Sequence, residues 1–203
     1  MLNANRLLSK DGRSYMNYKK LVVALLVFAG SGAGYWYWSS NTFKIQLQQN
    51  QISSIVAYVP EKHRAFIKEQ FKQNWYWLIS TPDYDVDYML DTRSPNNYEP
   101  HYKGKLSIIV LQEEEQLVGF GAYYMKNSFE GTILFIDIDQ AFRGKRYAEK
   151  LVKYAERDLK GMGAKVVKLA TWIENASSRK LYTRLGYQEV NQERQYVHYR
   201  KEL

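Results

Sequence analysis

Arg143-Gly144-Lys145-Arg146-Tyr147-Ala148 puts three cations and one glycine on a turn between a strand-like run over 132–139 and a helix-like run over 147–162. A strand that enters a helix through a short glycine-containing turn leaves several backbone N–H groups unpaired at the helix start, aimed above the sheet. Such a turn reads as a pyrophosphate cradle. Further along, Trp172-Ile173-Glu174-Asn175-Ala176-Ser177-Ser178-Arg179-Lys180-Leu181-Tyr182-Thr183-Arg184-Leu185-Gly186-Tyr187 reads as a strand end, a polar helix start, a short helix over 175–185 and a glycine stop. Helical spacing places Leu181 and Leu185 on one face and Ser178 and Tyr182 on another, which holds a phenol beside the phosphate turn.

These two segments, in this order and at this separation, resemble the motifs of the GNAT superfamily of N-acetyltransferases. The first family motif runs Gln/Arg-x-x-Gly-x-Gly/Ala, and the second ends Asn…Leu-Tyr-x-x-x-Gly-Phe/Tyr. The resemblance covers roughly the last hundred residues and extends over 43–101 by order of elements only. It implies an α/β fold with a mixed sheet, the GNAT-like acyl-CoA N-acyltransferase fold, over 43–203. It also implies acetyl-CoA as co-substrate, no metal, and direct transfer to an amine of a small molecule or protein without a covalent enzyme intermediate. Carried over residue by residue, Arg143, Gly144, Lys145, Arg146, Tyr147 and Ala148 would face the CoA phosphates. The main chain of Ile136, Asp137 and Ile138 would bind the pantetheine arm from one side and Asn175 from the other. Tyr182 would protonate the departing thiolate or hydrogen-bond its sulfur. Arg146 departs from the pattern, standing where the family has the first glycine of its motif, and a side chain there restricts backbone freedom and ligand approach.

Presenting an amine of pKa about 10.4 in neutral form at pH 7 costs on the order of 4–5 kcal/mol, so acyl transfer needs a carboxylate nearby or a water chain leading to one. The positions where some GNAT enzymes carry a glutamate fall here on Thr132 and Ala170. Glu130, Asp137, Asp139 and Glu174 lie close by as substitutes for that base, against the rival reading of each as a turn, edge or solvent-facing carboxylate. His63, His101 and His198 lack metal-ligand spacing and read as single surface histidines. Asp83, Asp85 and Asp87 begin like a calcium loop, but Tyr88 occupies its glycine position and Ser94 its closing glutamate. Two other classes stay open, a catalytically silent acyl-CoA-binding module and a membrane-tethered interaction protein. Cofactor binding and turnover separate the three.

The elements that must position these residues follow from periodicity. Pro60 opens a helix with Ile67, Phe71, Trp75 and Leu78 on one stripe, at spacings of four, four and three. Residues 81–101 read as a long polar loop, and 43–58 are ambiguous. Runs over 105–112, 116–126 and 132–139 predict an antiparallel meander, and the helix to 162 with a strand over 164–172 predicts a crossover. Residues 187–191 and 195–201 predict a terminal hairpin. With 203 residues, 45% of them hydrophobic, the chain can bury one good core. The absence of cysteine excludes a disulfide framework, a thiolate metal site and a cysteine acyl-enzyme.

Residues 1–20 form a basic tail, in which five basic residues against Asp11 supply four of the eight net positive charges. Residues 21–38 follow, aliphatic over 21–28, small over 29–34 and aromatic at Tyr35-Trp36-Tyr37-Trp38, and they predict a single-pass transmembrane helix or signal-anchor in contact with the lipid bilayer. A cleaved signal peptide and a buried soluble helix are the rival readings. The charge bias places the N-terminus in the cytoplasm, whereas the need for acetyl-CoA argues for a catalytic domain on that same side. The modest remaining excess of basic residues needs no nucleic acid to account for it.

Overall fold

The computed structural model describes residues 53–79, 83–95 and 102–203. The basic tail, the expected membrane segment and residues 43–52 lie outside them. Among the described residues, no helix is long and apolar enough to cross a membrane.

Strand β1 (Ser53–Ala57) leads into helix α1 (Pro60–Leu78), which starts at the proline as expected and buries Ile67 and Phe71 of the stripe. Its backbone leaves helical geometry at Asn74 (φ −114°, ψ 22°). Helix α2 (Val86–Thr92) follows, so the expectation of a continuous loop over 81–101 is corrected there. Asp85 caps its start by accepting from the Tyr88 N–H, Arg93 ends it in the left-handed region, and Met89 and Leu90 bury its inner side. Asp and Tyr are weak helix formers, and two buried residues in seven give too little periodicity to find from sequence.

The meander is β2 (Ser107–Glu113), β3 (Gln116–Met125) and β4 (Glu130–Ile138). A one-turn 3₁₀ segment (Gln140–Phe142) leads to α3 (Tyr147–Gly161), then β5 (Val166–Trp172), α4 (Ala176–Arg184) and the hairpin of β6 (Gln188–Glu193) and β7 (Tyr196–Glu202). These strands form one mixed sheet in the order β1-β2-β3-β4-β5-β7-β6, with β4 and β5 parallel and the other pairs antiparallel. Successive strand residues face opposite sides of the sheet. Ile109 and Leu111 therefore join the core under α3, with Leu151, Val152 and Leu159, whereas Ile108 and Val110 join the core under α1 and α2.

The parallel pair is short. β4 and β5 match only at Glu130–Val166, Gly131–Val167 and Thr132–Lys168, after which they diverge. Strand β5 instead follows β7 along its whole length, to Trp172–Tyr196. On the other side, β4 stays with β3 but carries an extra residue, Leu134, because Ala122 pairs with Phe135 and Tyr123 with Ile133. A bulge of this kind bends its strand and increases the local twist.

The far end of β4 lies tightly on β3. A Cβ on Gly119 would fall 2.5 Å from the Asp137 carbonyl oxygen, a backbone atom that cannot swing away. Gly119→Ala is therefore expected to destabilise the protein by about 1–3 kcal/mol, the range for overpacking. Urea unfolding should give a lower midpoint at unchanged m-value. An unshifted midpoint would mean that the two strands separate there at no cost.

Candidate functional site

The divergence opens a cleft of about 1190 Å³ between β4 and β5, and both sequence motifs line it. At one end lies the start of α3. No side chain caps this helix, and its N-cap residue, Arg146, sits in the left-handed region at φ 61°, ψ 20°. Gly144 is left-handed too, at φ 85°, and a Cβ placed there would meet nothing within 4 Å. Uncapped first-turn N–H groups beside left-handed residues form an anion-binding concavity. The position of the family's glycine thus keeps a glycine-like backbone even with arginine in it.

The three cations of this turn behave differently. Arg143 reaches toward β4 and α1 while staying half exposed, its Nε donating to the Ile138 carbonyl at 2.9 Å and its Nη2 to Asn74 Oδ1 at 3.0 Å, 3.6 Å from Asp137 Oδ1. Lys145 Nζ lies 3.7 Å from the buried Glu113 carboxylate, which also accepts the Tyr147 hydroxyl hydrogen bond. Arg146 is exposed and forms no ion pair within 4 Å among the described residues, which leaves it as the cation open to a bound anion. Ala148, the second residue of α3, lines the cleft.

The second motif closes the cleft from β5. Asn175 caps α4, its Oδ1 accepting from the Ser178 N–H at 3.1 Å, which leaves its amide hydrogens available. Tyr182 is the buried residue of α4, while Leu181 and Leu185 are half-buried. Its ring lies 5.8 Å from those of Tyr187 and Tyr199, and burial pushes the phenol up to about 12. No described residue hydrogen-bonds its hydroxyl, and the residue lines the cleft.

Beyond the bulge, β4 turns alternate residues to opposite sides. Ile136 and Ile138 pack on the core under α3, whereas Phe135 and Asp137 face α1. Asp137 is not the edge or solvent-facing carboxylate expected from sequence, for it is only 8% exposed. Its Oδ2 accepts from Asn74 Nδ2 at 3.0 Å. Burial raises the carboxyl to about 6, against the opposing pull of the Arg143 guanidinium and of the Asn74 hydrogen bond. Thr132 ends the paired part of β4 and Ala170 lies on β5, so neither brings a carboxylate to the cleft. Glu130 is also buried rather than solvent-facing, but it sits at the closed end, 2.7 Å from Lys168 Nζ. Asp139 accepts from the Ala141 N–H and from Gln70 at the strand end. The missed signal was an acid alternating with isoleucines, Phe135-Ile136-Asp137-Ile138, inside a strand that packs on both faces.

Sequence reasoning also missed an aromatic wall. Tyr76 stacks on Trp172 at 4.7 Å, Trp77 meets Tyr76 edge-on at 4.8 Å, and Trp172 lies 5.2 Å from Tyr196. Glu174 accepts the Tyr76 hydroxyl at 3.1 Å. These rings join the end of α1 to the ends of β5 and β7, on the side of the cleft that Asp137 faces. Of the histidines, His198 is half-buried and lines the cleft. His63 is buried, not at the surface, and its Nδ1 accepts the Val59 N–H at the start of α1. His101 lies outside the described residues.

The model of the acetyltransferase (GNAT) family matches residues 65–187, more than half of the chain. No curated protein sequence matches. Among solved structures, the GNAT domain of S. lividans PAT aligns at TM-score 0.59 and 10% identity, covering 74% of this chain and 90% of that one. The PaiA N-acetyltransferase from Thermoplasma acidophilum, solved in complex with coenzyme A, aligns at TM-score 0.57 and 15% identity, covering 75% and 99%. A ribosomal-protein alanine N-acetyltransferase from Escherichia coli aligns at TM-score 0.57 and 12% identity, covering 74% and 94%. At these identities the structural likeness establishes the fold.

The folded carboxyl of Asp137, near 6, lies above the unfolded value of about 3.9, so the native state holds the proton more tightly. The stability from this residue is complete below about pH 4 and is lost as pH rises through about 6, at most about 3 kcal/mol. Asp137→Asn should therefore raise stability at pH 8 and lose that advantage at pH 4, read by urea unfolding of both proteins at the two pH values. A variant less stable at pH 8 would show that the ionised carboxylate is held favourably.

Proposed function

Because the chain belongs to the acetyltransferase (GNAT) family, we propose that it moves an acetyl group from acetyl-CoA directly to a primary amine of a small molecule or protein. The observation that carries this reading is the placement of an anion cradle, an unpartnered phenol and a buried carboxylate around one gap between two diverging strands. The residues present fit the co-substrate: the uncapped start of α3 and Arg146 suit its phosphates, and the main chain of Ile136, Asp137 and Ile138 with the Asn175 amide suits its amide-bearing arm. Acetyl-CoA, when bound, supplies the thioester whose acetyl carbon is attacked.

The chain's own residues do the rest. An entering ammonium meets the faces of Trp77 and Trp172, where cations are attracted by aromatic rings. Asp137 takes one proton from it, a role suited to a carboxylate whose pKa, about 6, lies just below operating pH. The freed nitrogen lone pair forms the C–N bond as the C–S bond breaks and sulfur takes the electron pair; the nitrogen's second proton then passes to that sulfur, so that the products are a neutral amide and a free thiol. Tyr182, held up at about 12, keeps its proton at pH 7 and donates a hydrogen bond to that sulfur instead of ionising. The buried Asp137 favours this reading over the silent binder, since a binder needs no base on that face.

Residues 21–38 supply the second part of the proposal, a membrane anchor with the basic tail on the cytoplasmic side. A reporter fused to Leu203 that works on one side of the membrane only, with the mass of the mature N-terminus, tests it. A cleaved chain starting near Gly34 replaces the anchor by a signal peptide.

Acetyl-CoA at a hundredfold excess over its dissociation constant is expected to stabilise the full chain by about 2.7 kcal/mol. No thermal shift at millimolar acetyl-CoA sinks both the enzyme and the silent-binder readings. Tyr182→Phe should keep the fold and the affinity while lowering turnover about 10²-fold. Free CoA released over a panel of amines, polyamines and peptides gives that rate, and unchanged turnover removes Tyr182 from the chemistry. The acid limb of kcat/KM for the acceptor should fall near pH 6 and disappear in Asp137→Asn along with most of the activity.

A further inference from the structure

One polar network joins the phosphate turn to helix α1 across the strand that carries Asp137. Gln70 Nε2 donates to Asp139 Oδ2 at 3.0 Å, Asn74 Nδ2 lies 3.4 Å from Gln70 Oε1 and 3.0 Å from Asp137 Oδ2, and Asn74 Oδ1 accepts from Arg143. Asn74 is thus used from both ends of its amide, and its departure from helical geometry falls at the same residue. Arg143 is tied by Nε to the carbonyl of Ile138, the residue after Asp137. That bond fixes the guanidinium relative to β4.

We infer that Arg143 is a positioning residue for Asp137 and not a phosphate ligand: with Asn74 it holds the carboxylate on the acceptor face of β4 and supplies its countercharge. This rests on the reading of Asp137 as the base. Each oxygen of Asp137 then has its own neighbour, Asn74 at Oδ2 and Arg143 at Oδ1. Arg143 and Lys145 are exposed too, but each is engaged with a carboxylate, whereas Arg146 forms no ion pair among the described residues and is the side chain left for a phosphate. The other groups around Asp137 do not provide the countercharge. Asp139, two residues on, is of like sign, and α1 presents the uncharged amides of Gln70 and Asn74. On the far wall of the cleft, β5 offers Thr171 and β7 offers His198, and neither is bonded to Asp137.

The experiment uses the full chain with Arg143→Gln, Arg143→Lys and Asn74→Ala, and three readings for each. These are the affinity for CoA by calorimetry, the pH profile of kcat/KM for the acceptor, and the titration midpoint of the Asp137 carboxyl carbon by NMR without substrates. Loss of the neighbouring charge in Arg143→Gln should move the acid limb and the NMR midpoint upward by about one pH unit, with the CoA dissociation constant changed less than about threefold. Arg143→Lys, which keeps the charge without the fork, should restore the midpoint in part. Asn74→Ala should move the midpoint upward as well, and it carries the test if Arg143→Gln fails to fold. A CoA dissociation constant weakened about tenfold with an unmoved midpoint would overturn the proposal and return Arg143 to the phosphate. If Asp137→Asn retains full turnover, the base reading fails by itself, and the NMR midpoints still report whether Arg143 holds the carboxylate.

Discussion

Strands β4 and β5 begin as parallel neighbours and part after Thr132, and the rest of the fold is arranged to keep them parted. Backbone N–H and C=O groups left unpaired inside a protein are costly, so a sheet does not open unless something holds it open. Here it is held from both sides. The extra Leu134 and the glycine-tight contact at Gly119 bind β4 to β3, while the unbroken ladder with β7 draws β5 the other way. The two exposed edges then form a slot in which an extended chain with its own amides can complete the ladders, as in recognition by strand addition.

The opening also sorts charge. Because side chains on β4 alternate, the isoleucines and the acid of one short run face different chambers, one under α3 and one under α1. The phosphate turn is divided similarly: Lys145 is matched by Glu113, Arg143 by Asp137 and Asn74, and Arg146 by no ion pair among the described residues. A run that reads as three equivalent cations in the sequence becomes two cations tied to carboxylates and one without an ion pair among the described residues.

From α1 onward, α2 apart, the order of elements and the mixed sheet were readable because β2 to β5 and the long helices carry periodic apolar residues, whereas β6 is exposed throughout and was legible only as half of a hairpin. The phosphate turn and Tyr182 were readable from motif spacing. What stayed hidden depends on long-range geometry. Asp137 looked like an edge acid because nothing local reveals that Asn74, 63 residues earlier, packs over the strand and donates to it. Tyr76 and Trp77 lie off the apolar stripe of α1, so their role as a wall shared with Trp172 appears only when the sheet opens beside them. Helix α2 is stabilised by the Asp85 cap and two buried residues, a signal shorter than one helical repeat pattern.

Because β5 is paired with β7 along its whole length and with β4 at only three positions, one wall of the cleft is secured by the seven residues Tyr196–Glu202, with the Leu203 N–H bonded to the Lys165 carbonyl. During synthesis the phosphate turn, the phenol and the acid all leave the ribosome before the strand that sets their separation. Until that last strand inserts between β5 and β6, the nascent domain has an open edge along β5 and no cleft of defined width. The candidate site therefore takes its width only when β7 inserts between β5 and β6, so its geometry depends on residues later in the chain than any that line its phosphate turn.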